Sequence, residues 1–166
     1  MLEKTLLNDP NFRQFYVAAK KSTYATGGDQ KAEVLHNGGK RYVFYDPERW
    51  SQWRYTDIYH GYNPFLGNEL VEEIESTIPS VWTPIAQMSY AGYAIGTADA
   101  VRQMFSFLEK MLQRVSTDSP FRGPAMFPVI DDNMQYICRV ERVDAFSFTG
   151  KEYIYPIPMF GTALYT

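Results

Sequence analysis

Cysteine is nearly absent: Cys138 is the one thiol in 166 residues, so no internal disulfide can form and a disulfide-stapled scaffold is excluded. Neither of the two histidines, His36 and His60, is adjacent in sequence to it, and its alternation with Tyr136 and Val140 makes Cys138 a core thiol on a strand rather than a nucleophile. A basic excess is also missing. Sixteen Lys and Arg against nineteen Asp and Glu give a net charge of −3, which disfavours a broad phosphate-neutralising face and excludes nucleic acid as an expected partner. No apolar run approaches the ~18 residues of a membrane span, and Met1-Leu2-Glu3-Lys4 lacks the basic and then apolar regions of a signal peptide. No membrane partner is expected, and a cytoplasmic location is the default.

The glycine-rich phosphate and dinucleotide patterns are missing too. Gly27-Gly28 has no Lys-Ser/Thr behind it and no strand ahead of it, and a serine-hydrolase elbow is absent. The acidic run Glu69, Glu72, Glu73 and Glu75 lacks the spacing of a calcium loop and reads as a solvated strand edge. His60, before Gly61, reads as a solvated strand-end residue. No metal and no cofactor are expected.

What the chain does have is aromatic surface. Thirteen Tyr, eleven Phe and three Trp make up 16% of it, bringing large apolar area with polar tips that need partners. Hydrophobic residues reach 45%, enough for one core and a single domain over 1–166. The most informative pattern occurs twice. Phe65-Leu66-Gly67-Asn68-Glu69-Leu70-Val71 and Phe148-Thr149-Gly150-Lys151-Glu152-Tyr153-Ile154 lie 83 positions apart, half the chain. Each pairs an aromatic with a glycine able to turn the backbone and a glutamate leading into a strand, which predicts two similar halves, about 9–95 and 96–166.

Asp9-Pro10 is an N-cap with proline at the first helical position, and Phe12, Phe15, Tyr16 and Ala19 follow at helical spacing, predicting a helix over 10–21. The polar stretch 29–37, between glycine pairs, reads as a loop. Thr97 caps a second helix whose apolar stripe is Val101, Met104, Phe105, Leu108, Leu112 and Val115. Elsewhere the period is two. Strands are predicted over 41–45, closed by Asp46-Pro47; over 53–60, with Trp53, Tyr55, Asp57 and Tyr59 on one face; and over 69–78 and 81–90, after a turn made by Asn63-Pro64 and Gly67-Asn68. A strand over 135–143, a Phe-Thr-Gly-Lys turn and a strand from 152 to 157, continuing towards Tyr165, complete the second half. Pro79, Pro84, Pro156 and Pro158 belong at strand ends, edges or bulges. The expected fold is α+β: two pseudo-repeated halves of helix plus antiparallel strands, with two helices on one face of a mostly antiparallel sheet.

If the halves pack about a pseudo-twofold axis, Glu69 and Glu152 become equivalent and a ligand sits most naturally in the groove between them. This plan is similar to that of the duplicated effector-binding domains of bacterial multidrug-responsive regulators, which implies an aromatic cleft with a carboxylate for cationic ligands. A second resemblance covers 12–165. The string 53–61, Phe65-x-Gly67-x-Glu69, Pro84 to Met88 with Tyr90-Ala91-Gly92, Ser22-Thr23-Tyr24-Ala25, Phe121-Arg122-Gly123-Pro124 and Phe148-x-Gly150-x-Glu152 resemble a bacterial domain family of unknown function. Its members occur alone or behind a Cro/repressor-type helix-turn-helix. The resemblance implies no reaction, and the short stretch before Phe12 points to a stand-alone form.

Asp57, in alternation with aromatics, must be paired, hydrogen-bonded or neutral. Tyrosine hydroxyls or backbone amides can satisfy it, and turn amides can satisfy Glu69 and Glu152. Three functions stay open. The first is a non-enzymatic small-molecule module, with an aromatic cleft of Trp53, Tyr55, Tyr59, Trp82 and Tyr90 and polar selection by Asp57, Glu69 and Glu152. The second is an enzyme using these carboxylates as acid and base. The third is a protein-interaction domain that homodimerises.

Overall fold

The computed structural model describes residues 6–23, 32–77, 80–124, 127–131, 133–143 and 148–157. After a single 3-10 turn (Leu6–Asn8), helix α1 spans Pro10–Ser22. Asp9 caps it by accepting from the Asn11 amide at 2.8 Å, and Pro10 stands where its missing N–H costs nothing. Strands β1 (Glu33–Val34), β2 (Lys40–Phe44), β3 (Trp53–Gly61), β4 (Phe65–Thr77) and β5 (Ser80–Gly92) form an antiparallel sheet in chain order, with a short helix α2 (Pro47–Trp50) between β2 and β3. Helix α3 (Ala98–Leu112), capped by Thr97, leads to β6 (Val129–Asp131), β7 (Met134–Val143) and β8 (Phe148–Pro156), a second antiparallel sheet. The architecture is mixed α+β.

Two sheets replace the expected single one. β5 pairs with β4 alone and β6 with β7 alone among the described residues, so the strand series is broken where α3 intervenes. Each sheet has its own apolar cluster. Phe12, Phe15, Tyr16 and Ala19 of α1 join Trp50, Trp53, Tyr55 and Val71, while Phe107, Leu108, Met111 and Leu112 of α3 join Tyr136 and Cys138. The α3 stripe is wider than its sequence pattern: Phe107 and Met111 are buried, whereas Met104 and Phe105 are half-buried. Phe65 of β4 reaches the second cluster and meets Phe105 edge-on at 5.6 Å, and Phe121 packs back onto the first.

The repeated glycines do not make turns. Gly67 lies inside β4 opposite Tyr59 and Tyr90, and a Cβ there would fall 2.4 Å from the Tyr90 hydroxyl oxygen. Its missing side chain makes room for a ring. The β3–β4 connection turns at Gly61 (φ 78°) instead. Phe148-Thr149-Gly150-Lys151, likewise expected as a turn, is the first part of β8. Asp46-Pro47 opens α2, with the Asp46 carboxylate accepting from the Arg49 amide at 3.2 Å. Within the expected loop, Glu33 and Val34 pair with Arg41 and Lys40, while 24–31 lie outside the described residues, as do Pro79, Pro158 and any strand beyond Ile157. Pro84 sits on the outermost strand β5 beside a bulge at Val71/Glu72, and Pro156 ends β8.

The acidic run is not an edge, because β4 is flanked by β3 and β5. Glu69 is buried, Glu72 pairs with Arg54 at 2.7 Å and Glu73 accepts from the Trp53 indole at 3.3 Å. His60 does lie at a strand end, next to last in β3, but is half-buried over Gly39 rather than solvated.

Candidate functional site

Register fixes the polar residues between the two cores. Asp57 and Glu69 are cross-strand partners, Met88 faces Glu69 from β5, and the two-residue period puts Tyr55 and Tyr90 on the same face. On β7 and β8, Cys138 faces Glu152 and Tyr136 faces Ile154, so Tyr136 is one period from Glu152. Helix α1 supplies Tyr16 and Lys20, one turn apart.

These side chains form a continuous buried network. The Tyr16 hydroxyl donates to Glu69 Oε2 at 2.8 Å, and Lys20 Nζ pairs with the same oxygen at 2.9 Å while also donating to the Phe121 carbonyl. Arg122 spans the gap between the sheets: Nε donates to Glu152 Oε2 at 2.8 Å and a terminal nitrogen lies 4.0 Å from Glu69 Oε1. The Tyr136 hydroxyl donates to Glu152 Oε1. Glycine at 123 is needed for this, since a Cβ would come within 2.6 Å of the Tyr136 hydroxyl oxygen and 3.0 Å of the Met111 carbonyl. The two glutamates of the recurring motif therefore meet through one guanidinium. Their partners are tyrosines and cations rather than turn amides, because neither motif forms a turn.

Asp57 differs from both glutamates. It is 2% exposed and accepts from the Tyr90 hydroxyl at 2.8 Å, but among the described residues no cation pairs with it. Burial, reinforced by the nearby Glu69 charge, pushes its carboxyl up to about 7, against the Tyr90 hydrogen bond and the charges of Arg122 and Lys20. Burial also lowers the Lys20 ammonium, opposed by Glu69. For Arg122, burial would favour the neutral form, yet Glu152 and Glu69 outweigh it and hold the guanidinium charged. Burial and then Glu69 push the Tyr16 and Tyr55 hydroxyls well above their usual value, and burial and then Asp57 do the same for Tyr90, so all three stay neutral.

A hollow of about 20 Å³ opens beside Asp57, lined by Lys20, Thr23, Tyr55, Asp57, Glu69, Tyr90, Leu112, Phe121 and Arg122. It has room for roughly one water-sized group. Of the residues singled out from sequence, Tyr55, Asp57, Glu69 and Tyr90 line it, and Glu152 is joined to it through Arg122. Three do not contribute. Trp53 belongs to the first core, edge-on to Phe12 at 5.3 Å; Tyr59 stacks on Tyr42 at 6.1 Å; Trp82 packs against Tyr45 and under the Arg54 guanidinium. Strand alternation put Trp53 and Tyr59 on the correct face, but α1 covers one and Tyr42 the other. Lys20, Arg122, Tyr16 and Tyr136 were not singled out. A lysine continuing the apolar stripe of α1 was the available signal for Lys20. No cluster of His, Cys, Asp and Glu suited to a metal ion occurs among the described residues, and none of their helices is long and apolar enough to cross a membrane.

Fold and site together define an α+β protein with a buried network of ions and tyrosines between two helix-bearing sheets. The chain belongs to the family described as Domain of unknown function (DUF5680), matched over residues 57–165 and so over more than half its length. It matches no curated protein and no solved structure.

Proposed function

We propose that the protein is a small-molecule-binding module, of effector or sensor type, whose polar cleft selects a cationic ligand at Asp57. The observation that carries this reading is a charge imbalance. Lys20 and Arg122 are matched by Glu69 and Glu152, which leaves Asp57 as a third buried carboxyl facing a hollow without a cation of its own. A buried carboxylate in that position stays neutral or takes a cation from outside. The aromatic walls are Tyr55 and Tyr90, a narrower set than the five rings expected from sequence. The hollow admits only the tip of an organic ligand, so the body of the molecule lies at the mouth. We also read the two helix-and-sheet units as a repeat; the equivalent positions of Glu69 and Glu152, each accepting a tyrosine hydroxyl, support it. The lone buried thiol suits a reducing, cytoplasmic setting.

A thermal-shift screen with cationic aromatic compounds at pH 8 tests the proposal. A ligand at ~100 times its dissociation constant adds about 2.7 kcal/mol to wild-type stability, and Asp57→Asn removes that gain. No shift across the panel, or equal shifts in both proteins, rules the reading out. A second reading draws on the Asp57 carboxyl itself, since a group titrating near 7 beside Glu69 has the properties of a general acid or base. Turnover lost in both Asp57→Asn and Glu69→Gln, with the fold intact, would favour it.

A further inference from the structure

Resting on the ligand-binding reading above, we propose that the hollow beside Asp57 is a subsite for a primary ammonium group, and that filling it displaces the proton Asp57 otherwise shares with solvent. Three observations on the geometry converge. The first is size: about 20 Å³ takes one water-sized group, which an –NH₃⁺ tip matches and a trimethylammonium or a planar guanidinium exceeds. The second is the lining. Asp57 accepts its one side-chain hydrogen bond among the described residues from Tyr90, the Tyr55 and Tyr90 rings beside it suit a desolvated cation, and the two cations that also line the hollow, Lys20 and Arg122, are engaged by Glu69 and Glu152. The third is charge parity, since an added monocation balances three carboxylates against three cations in the buried network.

The proton follows from the same balance. The titratable groups facing Asp57 are Tyr42 on β2, Glu69 on β4, Tyr90 on β5, Tyr55 and Tyr59 on its own strand, Tyr16 and Lys20 on α1, and Arg122 between α3 and β6. Glu69 keeps its charge engaged with Lys20 and Arg122, and the tyrosines remain protonated, so Asp57 is the group that changes state. With no cation present its carboxyl, lying at about 7, is about half protonated at neutrality, so the proton displaced per ligand falls from nearly one at about pH 6 to about a tenth at pH 8. An entering R–NH₃⁺ pairs with the carboxylate, no covalent bond changes, and the Asp57 proton leaves to water.

Methylammonium, which stays cationic throughout neutral pH, is the probe. With two heavy atoms its dissociation constant lies at best in the range of ~5–10 mM. Titrated into the full chain and followed by backbone amide shifts, it perturbs residues 57, 69 and 90 saturably. Because its competitor is a proton held at about 7, binding is about tenfold weaker at pH 6 than at pH 8. Tetramethylammonium produces no such shifts, and Asp57→Asn abolishes them. Should Asp57→Asn misfold, Tyr90→Phe serves instead: removing the donor that favours the carboxylate moves the midpoint of the pH dependence upward. Equal affinity at both pH values, tetramethylammonium binding at the same amides, or no saturable shift from methylammonium overturns the proposal. If methylammonium is silent while larger cationic aromatics still stabilise the wild type over Asp57→Asn, the ammonium subsite falls and the cleft stands. If both are silent, both fall.

Discussion

Glu69 and Glu152 occupy corresponding places in the recurring motif, yet the two ends of the network are built differently. Glu69 lies on an interior strand of a five-stranded sheet, is 4% exposed, and meets Tyr16, Lys20 and more distantly Arg122. Glu152 lies on the edge strand of a three-stranded sheet, with its side chain 22% exposed, and meets Tyr136 and Arg122. Both have a tyrosine and a cation. Only the Glu69 end adds a second cation and excludes water. Desolvation is therefore nearly complete at one end and partial at the other, so the same chemical pair carries different energetic consequences. A motif that recurs in sequence has placed its carboxylates at one seam without giving them one environment.

Arg122→Met should break the comparison most severely. It removes the cation shared by both ends and leaves Glu152 with a single tyrosine donor, for a loss of about 3–5 kcal/mol in denaturant unfolding. A loss below about 1 kcal/mol would mean that the seam contributes little to the fold. Glu69→Gln follows closely. It strands the buried Lys20 ammonium beside the Phe121 carbonyl and should cost about 3–4 kcal/mol, whereas Glu152→Gln, where water can reach the freed guanidinium, should cost about 1–2 kcal/mol. Equal costs at the two positions would erase the proposed difference.

Asp57 sharpens the contrast through pH. Its folded-state carboxyl is raised to about 7, so the native state binds the proton more tightly than the unfolded chain does. That contribution is fully present below about pH 4 and is lost as pH rises through about 7, totalling up to about 4 kcal/mol. Asp57→Asn should flatten this segment of the stability profile, read as denaturation midpoints between pH 4 and 8, and should make the variant more stable than wild type at pH 8. An unchanged slope would place the proton elsewhere.

Much of this was legible in sequence, and the parts that were not have a common cause. Helix α1 was readable because Asp9, Pro10 and the spacing of Phe12, Phe15, Tyr16 and Ala19 are local signals, and strand alternation placed Asp57 on the buried face. The pairing of strands into two sheets was not, since it depends on contacts that periodicity does not encode. Gly67 was misread as a turn because its missing side chain accommodates Tyr90, a residue 23 positions away and one strand over. Arg122 and Lys20 escaped for the same reason. A cation reads as surface until the chain brings a buried carboxylate to it, and the partner of Lys20 is 49 positions distant.

The smallest expected effects come from the tyrosines, and they isolate hydration from charge. Tyr16→Phe and Tyr136→Phe each delete one hydroxyl that donates to a motif glutamate and leave every ion pair of the network in place. At Glu69 no water replaces the lost donor, so Tyr16→Phe should cost about 1.5–2.5 kcal/mol, the range for a buried bond to a charged group. At Glu152 the carboxylate itself is partly open to solvent, its side chain being 22% exposed, and can take a water in place of the lost donor, so Tyr136→Phe should cost about 0.5–1 kcal/mol. Both changes keep the ring, so apolar packing stays nearly constant and the difference between the two losses is governed chiefly by hydration of the two carboxylates. If Tyr136→Phe proved the more damaging, the second end would be the drier one under solution conditions, and the stronger desolvation assigned to Glu69 would have to move to Glu152.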